Sequence, residues 1–532
     1  MARAGLVARA WPRGAAFAWV PAACGTIALA ASSMATPLRA RRRLELMLQL
    51  VLLLRLPPQS MIDAREAVDG QQTDVGFFWH IADVHVLYGR NVSWAPDRPL
   101  PGQPFGSHGA DATFASGLYQ NLTAEMAQRN PSPDFILLSG DISNEVRDII
   151  EATRILKTHF PRTPVYVSNG NHDVNLGFYN RANTTDKERL GPGTHTRDWN
   201  PSLSPDQGDP DLGSSSERLQ LLEDVWNATG WLSAPWCEGC LSTFRQAGVY
   251  SSPVYGVPRL RILNVNTNPW IGPHLKPAKE AKDPAHMFEY MAAELASARA
   301  RGEKVLLQGH IPPGFGTRAA SSAPDGWDED ANQKVEEILA DFADQCVGFF
   351  HGHEHSDAIR LHRNGTGNPT VVSYLTPAGA PLNQNPGFRS YTFDKNSLEL
   401  LDYQQYYLDL DKANAAKSMS WQLEYAAKEY FELESLRPAE WEQLHKRFLV
   451  NDTAFQRFAA INYVQYDLNK CTGSCKAVMI CGLFAVTTSA HEACVKSLGY
   501  ASGAQLQRMW LAEGGAVHAA LTHRPGAADP TD

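Results

Sequence analysis

The sequence predicts an α/β domain followed by a helical C-terminal region. Three observations carry this. From Val75 onward, short β-type runs alternate with helical patterns. Five of those runs lead directly into segments carrying Asp, Asn or His. Beyond Asp409 the pattern changes to helices.

Taken in order, residues 1–72 read as a leader. Gly14 to Ala31 is uncharged but rich in Ala and interrupted by Pro21, a weak candidate for a membrane span. Leu44 to Leu54 follows Arg39 and Arg41 to Arg43 and carries only Glu45 as a charge. That order fits a signal peptide, with Met34 as an alternative start, or a signal-anchor that remains in the membrane. The α/β domain is placed at 73–407, with β runs at Val75–Ile81, Phe135–Leu138, Val165–Val167, Leu260–Val265, Val305–Leu307 and Val347–Phe350. Between the last runs, Pro284–Arg301 sets Met287, Tyr290, Met291, Glu294 and Leu295 at helical spacing, the pattern of core packing. Gly191–Ser216 is dense in Gly, Pro, Ser and Asp and reads as a long exposed loop. The C-terminal region, 408–532, opens with Trp421, Tyr425, Tyr430, Phe431 and Leu433 in one amphipathic helical segment.

Composition narrows the class. The chain has 532 residues, 43% of them hydrophobic and 20% charged, a globular mixture. Lys and Arg number 48 against 57 Asp and Glu, giving a net charge of −9. This balance excludes a general nucleic-acid coat, which needs many phosphate-facing cations. Sequons begin at Asn91, Asn121, Asn183, Asn227, Asn364 and Asn451. With the apolar leader and clustered cysteines they point to the secretory route, secreted or lysosomal, with anchoring through the leader as the alternative. The chain is expected to be a monomer.

The run ends hold the chemistry. They read Asp83-Val84-His85, Gly140-Asp141, Gly170-Asn171-His172-Asp173, Gly309-His310 and Gly352-His353-Glu354-His355. Ligand sites in α/β sheets collect beyond the carboxyl ends of strands, so these segments can converge. Asp83, His85, Asp141, Asn171, His310, His353 and His355 offer imidazole nitrogens with carboxylate and amide oxygens. That mixture suits Zn²⁺, Mn²⁺ or Fe better than the all-oxygen shell of Ca²⁺. Seven donors exceed what one tetrahedral ion takes but suit two ions sharing a bridge. Such ions, roughly 3.5–4 Å apart, clamp a phosphoryl group and activate water. Residues two apart on a strand face one way, so Asp83 with His85, and His353 with His355, can serve one site. The glycines beside Asp141, Asn171, His310 and His353 are expected to turn the backbone sharply out of the sheet. His80 and His351 read as ordinary core histidines.

This ordered series resembles the calcineurin-like metallophosphoesterase superfamily. Asn385-Pro386-Gly387-Phe388-Arg389-Ser390-Tyr391, and Trp421 to Tyr425 continuing to Pro438 and Trp441, resemble the acid sphingomyelinase-like phosphodiesterases within it. The resemblance implies an αββα sandwich of two mixed β-sheets, a di-zinc centre and a C-terminal helical subdomain. By position it gives one ion Asp83, His85, Asp141 and His355, and the other Asp141, Asn171, His310 and His353, with Asp141 as the bridge. It makes His172 a catalytic group that protonates the leaving alkoxide. It also suggests the disulfides Cys471–Cys475 and Cys481–Cys494.

The expected reaction is hydrolysis of a small phosphodiester or nucleotide. The alternatives are cleavage of sphingomyelin, a phospholipid, and a catalytically silent binding module that keeps its metals for structure. The short, cysteine-poor region before Val75 does not fit the lipid-extracting saposin domain of acid sphingomyelinase. Where the family carries a histidine four residues after the bridging aspartate, this sequence has Glu145, which would repel a substrate phosphate. Asn144 in place of a tyrosine disfavours a purple acid phosphatase. Cys237 and Cys240 read as a local disulfide or two ordinary thiols.

Overall fold

The computed structural model describes residues 74–87, 102–108, 113–143, 146–174, 215–270, 283, 286–318, 326–466 and 471–510. The leader, Asn91, Asn183, Asn144, Glu145 and most of the Gly191–Ser216 stretch lie outside the described residues.

The chain enters as β1 (Val75–Ile81), passes through a short parallel pair, β2 (Val86–Leu87) and β3 (Thr113–Phe114), and returns as β4 (Phe135–Ser139) and β5 (Val165–Ser168). A second group follows: β6 (Tyr250–Pro253), β7 (Leu260–Asn264), β8 (Lys304–Gln308), β9 (Cys346–His351), β10 (Ala358–Arg363) and β11 (Pro369–Leu375). The chain then turns back with β12 (Gly387–Asp394), β13 (Leu400–Leu408) and β14 (Trp421–Ala426). Two six-stranded sheets result, ordered β14-β13-β12-β1-β4-β5 and β10-β11-β9-β8-β7-β6. Both are mixed. β1, β4 and β5 run parallel in one, and β7, β8, β9 and β11 in the other.

Strands buried on both faces read as continuous apolar runs rather than alternating ones. β1 shows this, with Phe78, Trp79, His80 and Ile81 all buried. The two sheets face each other through aromatic rings: Phe78 of β1 lies 5.7 Å from Phe350 of β9, and Tyr374 of β11 lies 5.8 Å from Tyr391 of β12. Gln308 crosses the same layer, donating to the carbonyls of Leu138 and Tyr166 at 3.0 and 3.1 Å. His80 and His351 are part of this layer, hydrogen-bonded to Ser139 and Ser373, and burial holds both imidazoles well below the usual histidine range. On the outer face of the second sheet, helices Met287–Arg301 and Glu329–Asp341 bury Met287, Met291, Leu295, Val335 and Leu339 against Trp327 and Phe349. The fold is the expected αββα sandwich, with helices following it in the C-terminal region.

Trp421–Ala426 departs from expectation. It is a strand at the edge of the first sheet, not part of a helix. Trp421 and Tyr425 are spaced for one helical face, but pairing with β13 and a bulge at Gln405/Tyr406 put both inward on a strand. The helix covers only Ala427–Phe431.

The C-terminal helices are Pro438–Val450, Asp452–Asn462, Ser474–Phe484 and Thr488–Ser497, and two of their histidines stack on aromatic rings. His445 lies 4.3 Å from the Phe484 ring, and His491 lies 3.7 Å from Phe315, in the segment that follows His310. Burial pushes both imidazoles down to about 4, against partial opposition from Glu442 and Glu492 respectively. The unfolded chain takes up these protons near pH 6.5, while the folded chain refuses them until about pH 4. Stability is therefore expected to hold above pH 6.5, to fall as pH drops toward 4 by up to about 1.4 kcal/mol per pKa unit, and then to level off. Denaturant midpoints measured across that window should show this limb, and the His445→Gln/His491→Gln pair should flatten it. A parent protein with no slope there would refute the assignment.

Three disulfides join Cys237 to Cys240, Cys471 to Cys475 and Cys481 to Cys494. Among the described residues Cys346 is the free cysteine, its thiol pushed up by burial to about 12. No helix among the described residues is long and apolar enough to cross a membrane.

Candidate metal centre

Parallel strands present their carboxyl ends on one side, and five of them deliver the site. Asp83 and His85 follow β1, Asp141 follows β4, Asn171 and His172 follow β5, His310 follows β8, and His353 and His355 follow β9. Asp83, His85, Asp141, His353 and His355 have φ of 52°, 40°, 52°, 71° and 59°. Non-glycine residues rarely occupy this left-handed region, and such strain concentrates where function demands it. The surrounding segments hold it in place. Asp83 and His85 donate their amides to the carbonyls of Gly140 and Asp141 at 3.0 and 3.1 Å. The His353 amide donates to the Asp83 carboxylate at 2.9 Å, and the His172 amide to Asp141 Oδ1 at 2.9 Å.

Gly140, at φ +84°, turns the chain as expected. Gly170 and Gly352 serve differently: a Cβ on either would lie 2.0 Å from Asp141 Oδ1 or 2.3 Å from Asp83 Oδ2. These glycines allow carboxylate and backbone to approach.

The donor atoms gather into overlapping groups whose members lie within 4.8 Å of one another: Asp83 with His85 and His355, Asp141 with His310 and His353, and His85 with Asp141 and His172. His85 Nε2 is 3.3 Å from His355 Nε2, and Asp83 Oδ1 is 3.5 Å from the latter. In the second group, His310 Nε2 stands 3.1 Å from Asp141 Oδ2, and Asn171 Oδ1 is 3.0 Å from both His310 Nε2 and His353 Nδ1. Asp141 Oδ2 is also 3.8 Å from His85 Nε2, so one carboxylate oxygen faces both groups. His353 and His355 therefore separate, one to each group. The alternation of strand residues does not govern them, because both lie beyond the end of β9.

These residues fit a pair of cations. His310 Nδ1 donates to the Ser139 carbonyl at 2.7 Å, so Nε2 directs its lone pair at the Asp141 and Asn171 oxygens. A nitrogen lone pair facing two acceptor oxygens needs a positive charge between them. Without a metal that charge is a proton. Burial lowers the His310 pKa, but the Asp141 and Asp83 carboxylates outweigh it and hold it at about 9. Asp141, although buried, is held well below the usual carboxylate range by His310, His172 and His85. A divalent cation would displace that proton.

His172 is buried, with Nε2 3.8 Å from Asp141 Oδ2 and its ring edge-on to His85 at 4.8 Å. The adjacent Asp173 has a role that the spacing of the motifs does not announce. Its Oδ1 accepts the amides of Ile142 and Ser143 at 2.7 and 3.1 Å, and its Oδ2 accepts that of Gly170 at 2.8 Å. It thereby ties the Asp141 segment to the Asn171 segment. Burial and the Asp141 charge push its carboxyl up to about 6. The available signal was an acid closing the Gly-Asn-His-Asp motif.

Of the sequons among the described residues, Asn227 and Asn451 are exposed and Asn364 is half-exposed in the β10–β11 turn. Asn121 is half-buried, its carboxamide oxygen accepting from the Trp421 indole at 2.8 Å.

Two family models match this chain: Calcineurin-like phosphoesterase over residues 78–357, more than half its length, and Acid sphingomyelin phosphodiesterase C-terminal region over 369–500. A cyclic GMP-AMP phosphodiesterase of Homo sapiens is 28% identical over 453 residues, covering 80% of this chain and 91% of that protein. The acid sphingomyelinase-like phosphodiesterase 3b of Mus musculus is 27% identical over 457 residues, with the same coverages. Sphingomyelin phosphodiesterase A of Dictyostelium discoideum is 26% identical over 445 residues, covering 79% of this chain and 68% of that protein.

Proposed function

The chain belongs to the calcineurin-like phosphoesterase family, and within it we propose an acid sphingomyelinase-like phosphodiesterase that cleaves small phosphodiesters or nucleotides at a di-zinc centre. The observation that carries this reading is the Asp141 carboxylate, whose Oδ2 faces an imidazole of each donor group. Relatives that share most of this chain's length are phosphodiesterases, one of them acting on a cyclic dinucleotide.

When bound, two divalent cations would polarise the phosphoryl group and activate the attacking water. Asp83, His85 and His355 would hold one and Asn171, His310 and His353 the other, with Asp141 between them. Imidazole-rich donors favour Zn²⁺. Ser139 keeps His310 in the tautomer that presents Nε2. His172 Nε2 gives its proton to the leaving oxygen as the P–O bond breaks, and its backbone amide keeps Asp141 Oδ1 in place. We further place the protein in the secretory pathway, in keeping with its disulfides. It would act as a monomer, with the catalytic domain at 73–407 and the C-terminal subdomain at 408–532.

Cleavage of sphingomyelin is the second reading, favoured by the match over 369–500 and by the Dictyostelium relative. Purified protein should carry about two metal equivalents, lose all turnover to a chelator and regain it with Zn²⁺. A substrate panel of cyclic and linear dinucleotides, nucleotides and sphingomyelin micelles separates the two readings. Full turnover in verified metal-free protein would end both.

A further inference from the structure

One buried guanidinium touches both segments that carry the imidazoles of the Asn171–His310–His353 group. Arg360 on β10 is 0% exposed. Its Nη2 pairs with Oε1 of Glu354, the residue between His353 and His355. Its Nε donates at 3.2 Å to the carbonyl of Pro313, three residues beyond His310, and its Nη1 to that of Ile359 at 2.9 Å. The other Glu354 oxygen accepts from Ser356 Oγ at 3.4 Å.

A charge removed from water persists only where partners satisfy it. The planar fork of arginine fixes the direction of each partner, as the point charge of lysine does not. Here the fork spans the turn after β9 and the turn after β8. The β9 turn is the strained one, with His353 and His355 both left-handed, and such strain lasts only where neighbours hold it. Arg360 reaches no donor atom of the centre itself.

We propose that Arg360 is a positioning residue for the second ion, setting the spacing of His310 and His353 by tying Glu354 to the Pro313 carbonyl. This rests on the reading that those two imidazoles share one cation. Metal-free wild type and Arg360→Lys are titrated with Zn²⁺ against a chromophoric chelator, and with Co²⁺ followed by visible absorption. Wild type should take two equivalents. The variant should keep the affinity of one and weaken the other roughly 10–100-fold, with turnover recovering at high metal and KM unchanged. Should Arg360→Lys not fold by circular dichroism, the paired Arg360→Met/Glu354→Leu replacement removes both charges and carries the same expectation. Two wild-type affinities in either folded variant would overturn the positioning role. A single equivalent in the wild type would overturn the shared-cation reading, and with it this proposal.

Discussion

Asp141→Asn is expected to lower kcat/KM by roughly 10³-fold, because the substitution deletes a charge that lies within 4 Å of an imidazole in each donor group. The side chain keeps its shape, and its Oδ1 can still accept the His172 amide. What changes is the atom opposite His310 and His85, where a carboxylate oxygen gives way to a carboxamide with half the acceptor capacity and no charge. Metal content should fall together with turnover, while the fold, built mainly on the apolar layer between the sheets, stays intact. Near-wild-type activity with two metals bound would remove Asp141 from the bridging position.

His172→Ala is expected to slow hydrolysis of an alkyl phosphodiester by roughly 10²–10⁴-fold, the usual contribution of a general acid. The loss should shrink sharply for a p-nitrophenyl ester, whose leaving group departs without a proton. Both metals should remain, since the other donors are untouched. Equal losses on the two esters would deny His172 the proton-donor role. Loss of a metal would mark it instead as a ligand, a placement its distance from Asp141 Oδ2 allows.

The donor residues were legible because each follows an apolar run and carries unusual chemistry for a turn. Carboxylates, amides and imidazoles at five strand ends leave few explanations besides a shared ligand. Several features were less visible. Trp421 and Tyr425 fit a helical face by spacing, yet an open sheet edge beside β13 claimed them. His353 and His355 are two apart as strand neighbours are, yet both lie beyond the end of β9 and join different groups. Asp173 and Arg360 act on backbone atoms distant in sequence, and no spacing rule marks such contacts.

Residue chemistry and order along the chain were enough to give the class of fold, the candidate donors and the class of reaction. These follow from local properties: burial writes strands as apolar runs, and metal chemistry needs a short set of side chains. How close the donors stand to one another, what backbone conformation aims them and what ties the strained turns together were decided by tertiary structure. Those are questions of ångströms between segments up to 270 residues apart, as with His85 and His355. Such distances depend on sheet order, backbone conformation and buried hydrogen bonds acting together.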